Sequence, residues 1–474
     1  MARFSVLGMS RIVVCGGSLV GLSAAMMLAA DGHEVIVLEA DADGVPRAGA
    51  EAWGAWRRKG VAQFHQPHGL FTRFRRVCDA ELPGLTGRLQ AAGCYAVDYL
   101  QSMPPSILDR SPRPGDEDTW AVTGRRPVVE SVVAAAAVEH RGVEVRRGVR
   151  VVGLCTGPSV LSGVPHIAGV RTEDGAQVAA DLVVDAMGRR TPSGGWLSAA
   201  GAREPAMEER DRGFVYYTRY FTGPNRPQRR GPALQPVGTF SLLTLDSDND
   251  TWSVTLFGLT GDAPLKSLRD PDAFSRVVSA CPMFAHWLEG TPITGVLAMA
   301  GILDRYRRFA MEGQPVVTGF AAVGDAWACT NPSAGRGLSV GILHAQVLRQ
   351  LAREHLDDPA EFAVEWDART ERDVAPFVRN QIAADTARIA EMDAIRHGRP
   401  LPRSDSLMAK LVLGAGTDPD VFRALMETVM CTALPQEVFA RPGMADRIER
   451  ACAEAPPPRP AGPDRARLLA LLAA

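Results

Sequence analysis

The sequence has no excess of either charge, no membrane-length apolar run and no paired cysteine motif, and each absence narrows what the chain does. Lys and Arg number 52 against 54 Asp and Glu, for a formal charge of -2. The basic surplus of a nucleic-acid-binding protein is missing. No apolar stretch reaches the length that spans a bilayer. Eight cysteines, at 15, 78, 94, 155, 281, 329, 431 and 452, fall at no spacing that suits a zinc site or a redox Cys-x-x-Cys. Cys15 and Cys329 sit in apolar segments and are expected as small core residues. The pattern points to a reducing, cytoplasmic compartment. There is no Ser-His-Asp set, no metal-ligand cluster, no pair of catalytic acids and no internal repeat. Residues 1–10 are expected to be a short frayed extension rather than a signal peptide, because they lead straight into a strand and a Gly-rich turn. Arginine clusters at Arg57-Arg58, Arg73-Arg75-Arg76 and Arg305-Arg307-Arg308 read as solvated faces.

What is present is a β-turn-α-β unit. Ile12-Val13-Val14-Cys15 is a short apolar, β-branched run of the kind that forms a buried parallel strand. Gly16-Gly17-Ser18-Leu19-Val20-Gly21 follows, then an uninterrupted helix former from Leu22 to Ala30, with Gly32 where a helix ends. His33 to Glu39 reads as the second strand, closed by an acid. Gly16 permits the sharp turn, Gly21 lets the helix approach the sheet, and the helix start offers N–H groups to a pyrophosphate. Glu39 stands where an acid accepts from ribose hydroxyls. The fingerprint's middle glycine is Ser18 here. With the strand before, the helix after and the acid beyond, the turn reads as a dinucleotide site; the position alone leaves FAD and NAD open.

Two later segments separate them. Residues 181–189 form an apolar strand ending in Asp185 and Gly188. Residues 316–326 form another, ending in Gly324-Asp325. It continues Asn331-Pro332-Ser333-Ala334-Gly335-Arg336-Gly337-Leu338-Ser339 into a helix from Val340 to Arg353. These segments resemble the FAD-binding motifs of the aromatic-hydroxylase-like flavoprotein monooxygenases, in motif order over residues 10 to 350. The resemblance implies that Asp325 lies on the ribityl chain and that Pro332, Gly335 and Gly337 lie beside the isoalloxazine ring, with N–H groups at Gly337 and Leu338 facing the reduced flavin. Gly16, Ser18, Leu19, Gly21 and Glu39 complete the adenine-side set. Within the family the chain looks closest to polyether epoxidases and related bacterial tailoring enzymes. The residues behind that likeness are Arg58-Lys59-Gly60-Val61-Ala62-Gln63 with His68, the stretch 189–197, and Tyr217-Thr218-Arg219-Tyr220-Phe221. By this likeness Arg58 and Gln63 neighbour the cofactor, and Arg126 matches the family's helix-start arginine. Where that pattern has a histidine at 66 this sequence has glutamine, and His68 then reads as a satisfied loop histidine.

The implied fold is α/β: a Rossmann-like FAD-binding domain with a mixed sheet (residues 1–92, 118–202 and 296–355), a β-sheet substrate domain (93–117 and 203–295), and a C-terminal helical region and tail (356–474). Segments 214–221 and 252–257, rich in aromatic and β-branched residues, read as strands. Tyr217, Arg219, Trp252 and Phe257 are the pocket candidates, with the reservation that alternation turns half of a strand away. The helix-forming stretch 361–396 contains one breaker, Pro376, and 455–460 reads as a stiff extended linker. The implied activity is an FAD-dependent monooxygenase that inserts one atom of O2 into an electron-rich aromatic or alkene through a flavin hydroperoxide, by hydroxylation or epoxidation, in specialised metabolism. No second Gly-rich βαβ unit is visible, so NAD(P)H binds transiently or a partner flavin reductase supplies electrons. Gly414-Ala415-Gly416 lacks the framing strand and helix. Rivals are a flavin halogenase, whose catalytic lysine and Trp-x-Trp-x-Ile-Pro segment Trp53-Gly54-Ala55-Trp56 does not match, a prenyl or alkene reductase, and a non-catalytic flavin-binding protein.

Overall fold

The run Arg11–Cys15 is buried from Ile12 onward and hydrogen-bonds on both sides, as an apolar β-branched segment does at the centre of a sheet. A computed structural model describes residues 9–46, 49–402, 404–457 and 460–474. Residues 1–8 of the expected extension, and Pro458 and Arg459 of the expected linker, lie outside the described residues. The principal elements are β1 (Arg11–Cys15), α1 (Leu19–Ala29), β2 (Glu34–Glu39), α2 (Arg126–Glu139), β3 (Val143–Arg147), β4 (Leu182–Asp185), β5 (Phe214–Thr222), β6 (Phe240–Asp246), β7 (Thr251–Leu259), β8 (Phe320–Ala322), α3 (Gly337–His355) and α4 (Ala375–Arg396).

The first sheet runs β8-β4-β1-β2-β3, and every neighbour is parallel. A mixed sheet was the expectation. The antiparallel strands Val151–Leu161, Val164–Thr172 and Gln177–Ala179 instead form a separate three-stranded sheet, the middle strand packing near β4. α1 packs against both α2 and α3. It is buried on nearly every side, which is why its sequence is apolar all round rather than striped.

The second large sheet is antiparallel: Leu234–Val237, β6, β7, β5, then the short edge Thr291–Pro292, with Leu297–Met299 also on β5. The β6–β7 hairpin turns through Asn249 (φ 50) and Asp250 (φ 53), residue types that tolerate the left-handed region. Register pairs Tyr216 with Phe257 and Thr218 with Thr255 on one face, and Tyr217 with Leu256 and Phe221 with Trp252 on the other. The second face is the core of this unit. Tyr217, Phe221, Trp252 and Leu256 pack there with Phe274 and Val277 of a helix over Pro271–Ser279, and with Leu468 and Leu472 of the last helix, Arg465–Ala473.

The C-terminal third is helical. Pro376 does not break it: a π-turn over Thr370–Val374 precedes it, and the proline enters α4 in its first turn, where no N–H is needed. Residues 93–117, grouped by sequence with the large sheet, pair elsewhere. Tyr95–Val97 lies against Ala121–Arg125, and Met103 and Ile107 pack with Leu411, Val421 and Phe422 of the C-terminal helices. The arginine clusters are not wholly solvated either. Arg58, Arg75 and Arg307 are buried, Arg75 held by Asp79 and Asp118 and stacked 4.5 Å from the Trp120 ring. No helix among the described residues is long and apolar enough to cross a membrane.

Candidate cofactor and substrate cavity

β1 ends on a turn that only glycine fits. Gly16 has φ 110, and a Cβ there would stand 2.5 Å from the Ala186 carbonyl oxygen. A Cβ on Gly21 would run into the Gly16 carbonyl oxygen and touch the Ala186 methyl, so α1 sits against the sheet at a distance no side chain permits. Ser18 takes the N-cap position of α1 without capping it. Its Oγ donates to Glu130 Oε1 at 2.7 Å and accepts from Arg126 Nη2 at 3.2 Å. The serine in the middle-glycine position is thus an anchor to α2.

Around that turn lies a buried ionic cluster. Glu39 Oε2 accepts from the Gly17 N–H at 2.8 Å and from Arg58 Nη2 at 2.7 Å. Arg58 also donates to Asp41 at 3.0 Å and to Glu130 at 2.9 Å. Burial opposes the charge on Arg58, but Glu130, Glu39 and Asp41 outweigh it and hold the guanidinium above its ordinary range. Burial likewise pushes Glu130 up, and Arg126 and Arg58 overcome it, leaving the carboxyl lowered. His68 is satisfied on both nitrogens, by the Gln66 carbonyl at 2.9 Å and by Arg126 at 3.2 Å. Arg126 only donates, so Nε2 accepts and Nδ1 carries the proton. Burial and the Arg126 charge push this imidazole down to about 3, so it is neutral. Gln66 reaches the large sheet, where its Oε1 accepts from Thr218 Oγ1 at 2.8 Å.

The turn opens into a cavity of about 1240 Å³. Of the residues assigned to the cofactor by sequence, Gly16, Ser18, Gly21, Glu39, Arg58, Gln63, Arg126, Asp325, Pro332, Gly335, Gly337 and Leu338 all line it. Leu19 does not; its side chain is wholly buried in the core beneath the sheet. Asp325 follows β8 in a short 3-10 turn, and burial raises its carboxyl although Arg126, Arg189 and Arg305 pull the other way. Gly335 takes φ 69, the left-handed conformation that ends the Pro332–Ala334 turn and aims α3 at the cavity.

FAD fits what these residues present. α1 and α3 both begin at the cavity, neither has a side-chain cap, and neither carries an acid in its first turn. Two uncapped helix starts leave backbone N–H groups and the positive dipole ends to a ligand with negative charge at two separated points. A diphosphate at one end and a reduced ring at the other make such a ligand.

The rest of the cavity is an apolar chamber. Its roof is the first face of the large sheet, with Ser241, Leu243 and Leu245 of β6 and Phe257 of β7. Its floor and mouth include Met103, Met408, Phe422 and Met426, brought by the C-terminal helices and the loop packed on them. Phe257 is the one pocket candidate from sequence that lines it. Tyr217, Arg219 and Trp252 point to the opposite face: Tyr217 and Trp252 are core, the latter donating to the Trp287 carbonyl at 2.8 Å, and Arg219 reaches the Thr294 carbonyl and Ser275. Both strands form where the sequence places them, and their pleat turns three of the four candidates away from the cavity. Sequence reasoning also missed Ser333, Gln381 and Asp385 on the cavity wall. Ser333 lay inside the 324–339 motif; nothing in the helical pattern of 375–396 marks Gln381 or Asp385.

No protein-family model matches the chain. It is 28% identical over 436 residues to Protein Rv3254 of Mycobacterium tuberculosis, covering 86% of each. Among solved structures, PqsL of Pseudomonas aeruginosa, named as a probable FAD-dependent monooxygenase, superposes with a TM-score of 0.60 at 16% identity over 82% of this chain and 99% of that one. The flavin-dependent brominase Bmp2 superposes with a TM-score of 0.56 at 16% identity over 94% of this chain and 99% of that one. The chain therefore has the fold of the FAD-dependent, aromatic-hydroxylase-like flavoenzymes that its motifs resemble.

Proposed function

We propose that the chain is an FAD-dependent monooxygenase that inserts one atom of O2 into an electron-rich aromatic or alkene small molecule, by hydroxylation or epoxidation, in specialised metabolism. The observation that carries this reading is a single cavity that joins two uncapped helix starts to an apolar chamber. FAD, when bound, supplies the redox chemistry, taking electrons from NAD(P)H or a reductase and activating O2. The chain's own residues hold it and shape the space beside it. The α1 start and Ser18 take the diphosphate, and Glu39, fixed by Arg58 and Gly17, accepts from the ribose. Asp325 accepts from the ribityl hydroxyls. The α3 start at Gly337 and Leu338 faces the ring end, where its dipole favours negative charge by up to about 2 kcal/mol. Leu243, Leu245, Phe257 and Met426 exclude water from the reacting face. In this reading residues 1–92, 118–202 and 296–355 serve the cofactor, 203–295 roof the substrate, and 356–474 with 93–117 close the chamber.

A halogenase shares the fold, as the brominase comparison illustrates. A halogenase of this type uses a lysine in its pocket. The chain has three lysines, Lys59, Lys266 and Lys410, and none lines the cavity, which favours the monooxygenase. The test is purification followed by an absorption spectrum and mass analysis of any released cofactor. Oxygen uptake with NAD(P)H, with and without a flavin reductase, and ¹⁸O2 labelling of the product then follow. A yellow protein releasing FAD, and a product heavier by one labelled oxygen, are expected. A protein that stays colourless after incubation with FAD sinks the reading; halide incorporation or loss of a double bond sinks the monooxygenase part alone.

A further inference from the structure

Among the described residues, every sulfur atom on the cavity wall belongs to a methionine. Of the chain's 15 methionines, Met103, Met187, Met283, Met299, Met408 and Met426 line this one space, and no cysteine does. They arrive from separate segments. Met299 ends the short strand paired with β5, and Met187 follows β4. Met283 lies against Gly231, and Met103, Met408 and Met426 belong to the cluster built by the C-terminal helices. Leucine fills a similar volume without sulfur, as Leu243, Leu245 and Leu425 do on the same wall.

What sulfur adds is chemistry. A thiol attacks an oxidant as its thiolate, whereas a thioether needs no deprotonation. Cys15 and Cys329 each stand one residue from a lining residue, Gly16 and Thr330, and both are buried. Burial, then the charge of Asp185, raises the Cys15 thiol; burial, then Asp325, raises Cys329. Both thiols stay protonated, so an oxidant in the cavity meets reactive sulfur only at methionine. Position ranks the six. Met299 pairs with Tyr216, so the two side chains stand together on the cavity face of the sheet. The Tyr216 hydroxyl donates to Asn331 Oδ1 at 3.4 Å, and Asn331 leads through the Pro332–Ala334 turn into α3. Met299 therefore lies at the α3 end of the cavity, while Met408 and Met426 lie toward the mouth.

Resting on the monooxygenase reading, we propose that these methionines, Met299 first, are a modification site for hydrogen peroxide formed inside the cavity, and that their oxidation to sulfoxides weakens the chamber's hold on apolar ligands. Without a substrate to accept oxygen, O2 takes two electrons and two protons and becomes hydrogen peroxide; the electrons come from NAD(P)H or a reductase. A lone pair on Met299 Sδ attacks one peroxide oxygen. The S–O bond forms and the O–O bond breaks. The departing hydroxide takes the proton left on the transferred oxygen and leaves as water. Sulfur is oxidised by two electrons and the peroxide is reduced by two, so atoms and charge balance. The product is a polar, chiral side chain in an apolar wall, and methionine sulfoxide reductases reverse it. The modification thus stops an idling protein without destroying it.

The test reduces FAD bound to the full chain with light and EDTA under argon, then mixes it in the dark with buffer holding ¹⁸O2 and catalase, over repeated cycles. Catalase destroys peroxide that escapes, and the label excludes oxidation during handling. Peptide mass spectrometry locates each added oxygen. Met299 is expected to carry about tenfold more label than Met9 and Met207, which are 79% and 53% exposed and lie outside the cavity. Hydrogen peroxide added from outside, without catalase, is expected to reverse that order. The cycled protein is expected to bind naphthalene severalfold more weakly in equilibrium dialysis, and to recover after treatment with methionine sulfoxide reductases of both epimer specificities. Equal label inside and outside the cavity, or naphthalene binding unaltered by cycling, overturns the proposal. Met299→Leu conserves volume, and a loss of naphthalene affinity in it as large as in the wild type overturns the ranking of Met299. A chain that takes no FAD, or whose reduced FAD ignores O2, defeats the monooxygenase reading. One that takes FAD, is reoxidised by O2 and leaves Met299 unlabelled defeats this inference alone.

Discussion

Replacing Arg58 by alanine strands three carboxylates. Its side chain is 2% exposed and touches Glu39 at 2.7 Å, Asp41 at 3.0 Å and Glu130 at 2.9 Å. Removing one partner of a buried pair typically costs about 3–5 kcal/mol, because the survivor stays desolvated without its counter-charge. Two features pull the loss toward the lower figure. Arg126 still holds Glu130 Oε1 at 2.6 Å. Arg147, whose Nε and Nη2 are buried without partners, lies near the same acids and gains attraction once Arg58 is gone. A destabilisation of about 3 kcal/mol at pH 7, measured by urea unfolding of the FAD-free protein, is the outcome expected. Its pH dependence has a fixed sign. Glu130 is lowered in the folded wild type, so its contribution is present above its unfolded pKa and lost as pH falls through the lower folded value. In the variant that lowering is relaxed, so the gap between the two proteins narrows as pH falls from 7 to 4. Arg58→Lys, which keeps the charge without the planar fork, is expected between the two. A loss under about 1 kcal/mol at pH 7, or a gap that does not change with pH, refutes the account of this cluster as mutually neutralising.

Gly21→Ala is expected to lose FAD retention together with about 1–3 kcal/mol, since its Cβ meets the Gly16 carbonyl oxygen and, at 3.0 Å, the Ala186 methyl; bound-flavin absorbance and thermal melting check both. Trp252→Ala is expected to cost about 3–5 kcal/mol of stability with KM unmoved in the surviving folded protein. Leu243→Ala, on the cavity face, is expected to raise KM by severalfold with a much smaller melting shift; the opposite assignment would mean the sheet's faces are reversed. Asp385 is raised to about 7, so its stabilising contribution is complete below its unfolded pKa near 3.8 and is lost as pH climbs through about 7. Wild type is therefore expected to lose stability relative to Asp385→Asn by about 1.4 kcal/mol per pH unit between pH 5 and 7, levelling above, in chemical denaturation. The asparagine is accommodated by a flip of Gln381, whose Oε1 has no partner and then accepts from it.

What the sequence made legible follows from how local each signal is. The turn at Gly16 and Gly21 is written in contiguous residues because backbone geometry there admits no side chain, and the same holds for Pro332 to Leu338. Runs rich in aromatic and β-branched residues announced β5 and β7, but a strand announces both of its faces equally. Only the pairing of Tyr216 with Phe257, and the helices that bury Tyr217 and Trp252, decide which face meets the cavity. The same limit applies to charge. Arg58 and Arg57 are neighbours in sequence, yet one is buried among three acids drawn from positions 39, 41 and 130 while the other is exposed.

Asp385 is the sharpest instance of that limit, and it shows what kind of residue sequence reading passes over. In the helical pattern of α4 it is one acid among several, at a spacing that any solvated helix tolerates. Its character comes first from burial and then from distant segments: Ser333, 52 positions earlier, supplies the hydroxyl, and Asp304, from the loop before the last strands, supplies the repulsion. A motif is detectable when its chemistry needs backbone shape, since shape constrains neighbours in sequence. An acid–base group needs only an environment, and an environment is assembled by tertiary contact. The proposed cofactor site of this chain is of the first kind and the apolar chamber beside it is of the second. That is why the backbone turns within residues 16–39 and 324–338 could be read in advance, while Asp385 became visible only when α4 was seen against the cavity wall.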